Sequence, residues 1–225
     1  MARVPEMLRL LAGDAKHEPV ATSTLDVLEV LYDRVLRVDP EHPDDPDRDR
    51  FLLSKGHGPR AYYAVLAARG FIDPAILPTF GRFDSPLGMH PDRNLLPGVE
   101  ISSGSLGHGL PIAVGTALGL RGQGRRRPRV VVLIGDGELD EGSNHEAIAY
   151  AGAIGLDSLT VVVVDNASDR HGWRGGVAAW FDVAGWSTVT VDGRDHDALE
   201  QAFADRRDGR PHAVVARIRP MGVAA

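Results

Sequence analysis

Three observations predict an α/β fold, a parallel sheet with helices on both faces. The runs RVVVLIG at 129–135, LTVVVVD at 159–165 and HAVVAR at 212–217 are nearly continuous Val, Ile and Leu. Strands buried on both faces read this way, whereas half-solvated strands alternate. These runs are separated by segments of helical length, the order expected of parallel strands joined by crossovers. The chain has 225 residues, 43% of them hydrophobic, with no internal repeat and no Pro- or Gly-rich linker. Residues 1–225 are therefore expected to form a single domain with a sizeable core.

Each element follows in order. The first dozen residues read as a short helix. Leu25, Leu28, Leu31, Tyr32, Val35 and Leu36 keep helical spacing behind Ser/Thr capping candidates. DPEHPDDPDRDR carries three prolines and six carboxylates. It lacks the turn glycine and closing glutamate of a calcium loop and reads as a solvated loop. FLLS is a short strand, KGHG a tight turn, and Pro59 opens the helix PRAYYAVLAARG, which Gly70 stops. A polar loop follows, from about residue 83 to 104. Residues 106–120 read as a buried helix, in which Ala113, Gly115, Ala117 and Gly119 leave room for close helix approach. RGQGRRRPR lacks interleaved aromatics and reads as a solvated connector. From residue 129 the order is strand, helix (NHEAIAYAGAIG), strand, helix (AAWFDVAG), strand (WSTVTVDG), helix (HDALEQAFADR), strand.

Composition excludes several function classes. The absence of cysteine removes disulfides, thiolate metal sites and cysteine nucleophiles. A net charge of −6 argues against a general nucleic-acid or anionic-membrane surface. No apolar run approaches the ~18 residues of a membrane span, and residues 1–16 do not form a secretory signal. The cytoplasm is the expected compartment. The 26 glycines exceed the roughly 16 expected at average usage, and they cluster beside strands. Glycine there lets something approach the backbone closely.

Gly135, Asp136 and Gly137 directly follow a hydrophobic strand. GDGELDEG is not a dinucleotide fingerprint, because its third glycine is misplaced. An aspartate inside a phosphate cradle also repels the anion unless a cation lies between them. Asn166 ends the next strand, 30 residues later, the length of one strand–helix–strand unit. Asp136 and Asn166 are thus expected at the carboxyl edge of the sheet, on neighbouring strands, where open α/β sheets bind ligands. A carboxylate, an amide oxygen and a loop carbonyl suit Mg²⁺ or Ca²⁺ completed by phosphate oxygens and water.

GDGELDEG with VVDN at this interval resembles the thiamine diphosphate motif, and the wider chain resembles the N-terminal region of transketolase. DVLEVLYDRVL, DRDRFLLSKGHG, HPD at 90–92, PGVEISSGSLGHGL and EGSNHEAIAYAGAIGLDSL carry the resemblance, which runs from about Lys16 to Arg217. It implies a thiamine diphosphate-binding fold and a site. Asp136, Asn166 and the backbone carbonyl of Ser168 would bind the metal. Gly135, Gly137 and Glu138 would lie against the diphosphate, and Gly104, Ser105 and Leu106 against the aminopyrimidine. His57 and His90 match histidines that line the cofactor and substrate channel. His17 aligns with another, although it stands in KHEP rather than GHPG. Glu141 and Glu146 match acidic residues at the contact between subunits. His108 stands where the family usually has glutamine, whereas His42, His145, His171, His196 and His212 are expected at the surface.

The resemblance also implies a partner. The family's pyrimidine-binding domain, which supplies the glutamate that activates the cofactor, is expected on a separate chain, as is the C-terminal domain. The implied protein is the diphosphate-binding subunit of a two-component transketolase, in a heterotetramer of two plus two. It would move a two-carbon ketol unit from a ketose or ketose phosphate to an aldehyde, with specialised biosynthesis the expected setting. Two alternatives share the diphosphate motif or the fold: the alpha subunit of a 2-oxo acid dehydrogenase or decarboxylase, and a non-catalytic cofactor-binding scaffold. KGHG and HPD favour transketolase.

Overall fold

The structure, a computed structural model, describes residues 4–11, 23–56, 58–167 and 174–218. Five parallel strands form its sheet: β1 (Arg50–Leu53), β2 (Val130–Gly135), β3 (Leu159–Asp165), β4 (Ser187–Asp192) and β5 (His212–Arg217), in the order β1-β2-β3-β5-β4. The helices are α1 (Val4–Leu10), α2 (Leu25–Val30), α3 (Pro59–Ala68), α4 (Gly109–Gly122), α5 (Gly142–Ala153), α6 (Gly176–Val183) and α7 (His196–Ala204).

The period-2 geometry of the strands divides the core into two layers. Phe51, Leu53, Val131, Leu133, Val162, Val164, Val214 and Ala216 face α1, α2, α3 and α7. Leu52, Val130, Val132, Ile134, Val161, Val163, Ala213 and Val215 face α4, α5 and α6. The uninterrupted β-branched runs therefore serve two cores at once, and the expected fold class is the observed one. Chain order and sheet order differ at one place. β5 inserts between β3 and β4, so β4 is the edge strand, and its burial is correspondingly broken.

Several local expectations are corrected. The helix expected over residues 25–36 is α-helical only to Val30 and continues as a π-turn over Leu31–Val35, closed by Leu36 N–H donating to the Leu31 carbonyl at 2.8 Å. The helix expected from residue 106 starts at Gly109, because Gly104 (φ 132°) and Gly107 (φ 80°) hold left-handed backbone. Gly115 and Gly119 admit no close helix among the described residues. The buried side of α4 is Leu110, Ala113, Val114, Ala117 and Leu120, and a Cβ on either glycine would meet nothing within 4 Å.

The acidic loop and the arginine connector are not wholly solvated either. Asp49 is fully buried and receives Arg37 and Arg129, with ion-pair distances of 2.8 and 2.6 Å. Burial pushes the Asp49 carboxyl up, but hydrogen bonds from both guanidiniums and both backbone amides outweigh it and hold the carboxyl below its ordinary value. His212, expected at the surface, is fully buried at the start of β5, with Nε2 2.9 Å from the Ala202 carbonyl. It is covered because β5 is an inner strand. His196 is half-buried against Asp26, 2.9 Å away, whereas His145 is exposed as expected, its ring 4.4 Å from that of Trp180. His42 is exposed, as expected. His171 lies outside the described residues.

Candidate cofactor site

The carboxyl ends of β1, β2 and β3 and the loops that leave them form one site. β2 and β3 pair in parallel with Gly135 opposite Val164, and Asp136 N–H donates to the Val164 carbonyl at 3.2 Å. This register brings Asp136 and Asn166 to adjacent strand ends, as their 30-residue spacing predicts. Asp136 is buried, 1% exposed. The Asn166 Oδ1 is a buried acceptor with no hydrogen-bond partner among the described residues.

The turn after β3 explains why that oxygen is left over. Ala167 N–H donates to the carboxylate of Asp165, 3.3 Å away, so Asp165 caps the turn and Asn166 does not. Ala167 itself adopts φ 58°, a left-handed conformation that alanine rarely takes and that is strained. A buried amide oxygen without a donor, beside a buried carboxylate, fits a hard divalent cation completed by phosphate oxygens. Ser168, the third expected ligand, lies outside the described residues, as do His57 and His17.

Glu138 ties this turn to the second cofactor loop. Its carboxylate is 3% exposed. It accepts from Ser54 Oγ, from Gly107 N–H at 3.0 Å and from Gly135 N–H at 3.4 Å. Ser54 in turn accepts from Gly109 N–H at 3.0 Å. Burial raises the Glu138 carboxyl above its ordinary value, against the lowering effect of these donors. The glycines permit the arrangement. A Cβ on Gly109 would stand 2.2 Å from the Ser54 Cβ, and one on Gly107 2.6 Å from the Glu141 Cβ. The 104–109 loop is thereby pinned against the strand ends.

The remaining loops converge on the same place. A Cβ on Gly104 would meet the His90 ring at 2.9 Å, so the His90 ring packs against the Gly104 backbone. A Cβ on Gly56, in the KGHG turn, would lie 3.5 Å from the Leu106 side chain. Ser105 and Leu106 are exposed, as are Glu141 and Glu146. His108 is the exposed residue that precedes α4.

One residue of this edge is not among the expected ones. Lys55 follows β1, is 8% exposed, and lays its side chain across Gly135, whose added Cβ would lie 3.5 Å from the lysine Cγ. Burial pulls the Lys55 ammonium down to about 8, although Asp136 and Glu138 pull it up. The available signal was its rarity: the chain has two lysines against 23 arginines.

Comparison with known proteins identifies the family. The chain matches the family described as transketolase, thiamine diphosphate binding domain, over residues 3–221. It is 55% identical over 215 residues to a Rhodococcoides fascians protein named ferredoxin fas2, covering 96% of this chain and 71% of that protein. This chain has no cysteine, so it holds none of the thiolates on which iron–sulfur clusters are built. It is 37% identical to an Actinobacillus succinogenes protein named as one of the subunits of apulose-4-phosphate transketolase, covering 89% of this chain and 75% of that one. Among solved structures, transketolase from Leishmania mexicana superposes with a TM-score of 0.77 at 26% identity, over 96% of this chain. The chain spans 37% of that enzyme's length. The two converging glycine loops and the Asp136–Asn166 pair thus stand in a chain that belongs to the transketolase thiamine diphosphate-binding domain family.

Proposed function

We propose that this chain is the diphosphate- and metal-binding subunit of a two-component transketolase, which transfers a two-carbon ketol unit from a ketose or ketose phosphate to an aldehyde in the cytoplasm. The observation that carries the reading is the orphaned, buried Oδ1 of Asn166 beside buried Asp136. Asp136, Asn166 and the Ser168 carbonyl would hold Mg²⁺, or Ca²⁺, which would offset the charge of the diphosphate. Bound thiamine diphosphate supplies an electron sink for carbon–carbon bond cleavage. Gly135 and Gly137 let the backbone approach the diphosphate, and the Glu138-pinned loop presents Gly104, Ser105 and Leu106 to the aminopyrimidine. His90, His57 and His17 contact the diphosphate or the donor's hydroxyls and orient the donor.

A partner chain carrying the pyrimidine-binding domain covers this edge, in a heterotetramer of two plus two, with Glu141 and Glu146 at the contact. Relatives named as single subunits of apulose-4-phosphate transketolase support a separate partner. So does the surface: Phe83 is fully exposed, and Met89, Leu95 and Leu106 are 56%, 58% and 41% exposed, all in the chain between α3 and α4 that also carries His90 and Gly104. Exposed apolar side chains of this size suit an interaction surface. No helix among the described residues is long and apolar enough to cross a membrane.

The test is reconstitution with the product of the adjacent reading frame, given thiamine diphosphate, Mg²⁺ and a ketose phosphate. Ketol transfer is expected, and Asp136→Asn or Asn166→Ala is expected to abolish it. A reconstituted pair that binds no thiamine diphosphate overturns the reading.

A further inference from the structure

Lys55 is a buried cation with no ion pair among the described residues. Its ammonium donates to Ser23 Oγ at 3.1 Å, and that hydroxyl is its one hydrogen-bond partner among the described residues. No carboxylate among them lies within ion-pair distance of it, although Asp136 and Glu138 act on it from farther away. Glu138 is occupied by Ser54 and two backbone amides. Two other partly buried cations beside the sheet do have a counter-charge in contact: Arg129 has Asp49, and Arg48 has Glu100. A buried ammonium without an ion pair is costly and is retained where an anion arrives to meet it.

The position decides which anion. Lys55 follows β1 at the carboxyl edge, and its stem lies over Gly135 at the head of the Gly135–Asp136–Gly137 turn. A diphosphate bound through a divalent cation on Asp136 still carries uncompensated negative charge, since two metal charges do not neutralise both the Asp136 carboxylate and the diphosphate. The ammonium is a compact point charge on a flexible stem, suited to follow a phosphate oxygen.

We propose that Lys55 is a diphosphate-binding residue, its ammonium turning from Ser23 to a phosphate oxygen when the cofactor is bound. The proposal rests on the functional reading above and adds to it a residue outside the expected ligand set. It predicts opposite effects of one substitution on the empty and the loaded protein, which a merely structural lysine does not produce.

The test uses Lys55→Met, which keeps the stem and removes the charge. In the full chain without cofactor, Lys55→Met is expected to unfold at the same temperature as the wild type or above it. In the reconstituted pair, Mg²⁺-dependent binding of thiamine diphosphate, followed by calorimetry, is expected to weaken by about tenfold or more. Inorganic pyrophosphate is expected to compete for the wild-type site and to lose that competition in the variant. Lys55→Arg is expected to recover part of the affinity. Unaltered cofactor affinity in Lys55→Met overturns the role of Lys55 while leaving the functional reading standing. A cofactor-free variant that is markedly less stable or does not fold assigns the lysine to structure and also overturns the proposal. A wild-type pair that binds no thiamine diphosphate overturns the functional reading, and this inference with it.

Discussion

Ser54 and Glu138, 84 residues apart in the chain, are hydrogen-bonded Oγ to Oε1 inside the carboxyl edge of the sheet. Because the same carboxylate oxygen accepts from Gly107 and the same serine accepts from Gly109, this pair sets where the 104–109 loop stands relative to Asp136. Glu138→Ala removes the acceptor of a buried hydroxyl and a buried amide. It is expected to destabilise the chain by about 1–3 kcal/mol, read by urea unfolding. Amide exchange at Gly107 is expected to accelerate, and thiamine diphosphate affinity to fall. Ser54→Ala should speed exchange at Gly109 while leaving the Gly107 bond in place.

The Asp49 clasp tests the far side of the fold. Arg37 and Arg129 both converge on it, linking the acidic loop to the lead-in of β2. Removing one member of a buried ion-paired network leaves the others without compensation. Asp49→Asn is expected to lower stability by about 3 kcal/mol at neutral pH. The sign with pH follows from the lowered Asp49 carboxyl. The wild type holds this stability above the ordinary carboxyl range and loses it as the pH falls through the lower, folded value. The gap between wild type and Asp49→Asn should therefore close in acid, which unfolding curves from pH 7 to pH 3 will show.

The strands and the placing of Asp136 and Asn166 at neighbouring strand ends are legible in the sequence because both follow from local rules. Burial on both faces demands unbroken β-branched runs, and one strand–helix–strand unit fixes the interval between Asp136 and Asn166. What stays hidden depends on distant partners. Asp49 looks like one acid among six in a proline-rich loop, and only the fold shows Arg129 above it, 80 residues on. His212 looks like a polar residue opening a last strand, and nothing local says that β5 slips inside β4. Gly107 and Gly109 continue an apparently helical pattern until Glu138 and Ser54 claim their amides. Lys55 sits in a quoted motif, yet that it is buried with no ion pair among the described residues is something a sequence does not display.

His212 provides a second pH dependence, of a different kind. Burial lowers its imidazole below the ordinary value. The Ala202 carbonyl can only accept, so Nε2 carries the proton of the neutral ring. The unfolded chain takes up a further proton near pH 6.5 while the folded one resists it, so stability is full above about pH 7 and falls below pH 6.5. The slope approaches at most about 1.4 kcal/mol per pH unit from this group. His212→Gln keeps an N–H for Ala202 and removes the titration. Its urea midpoint is expected to change less than that of the wild type between pH 7.5 and 5.5; equal slopes would assign the acid sensitivity elsewhere.

Ala167 is the positive-φ non-glycine residue of the described chain, at 58°, immediately after Asn166. The left-handed conformation brings its Cβ against the carbonyl oxygen, at about 1–2 kcal/mol. Ala167→Gly relieves that conflict but adds freedom to the unfolded chain, an offset of about 0.4–1 kcal/mol. A net stabilisation of up to about 1 kcal/mol is expected in the cofactor-free chain. Ala167→Val, branched at Cβ, is expected to destabilise instead. The turn also fixes the direction of the Asn166 amide, because Asp165 holds the Ala167 N–H. Relaxing it should therefore weaken Mg²⁺-dependent cofactor binding even as the chain becomes more stable. Stability and affinity moving apart in Ala167→Gly would place the strain in the service of the site. If both rose together, the strained turn would have no part in holding Asn166.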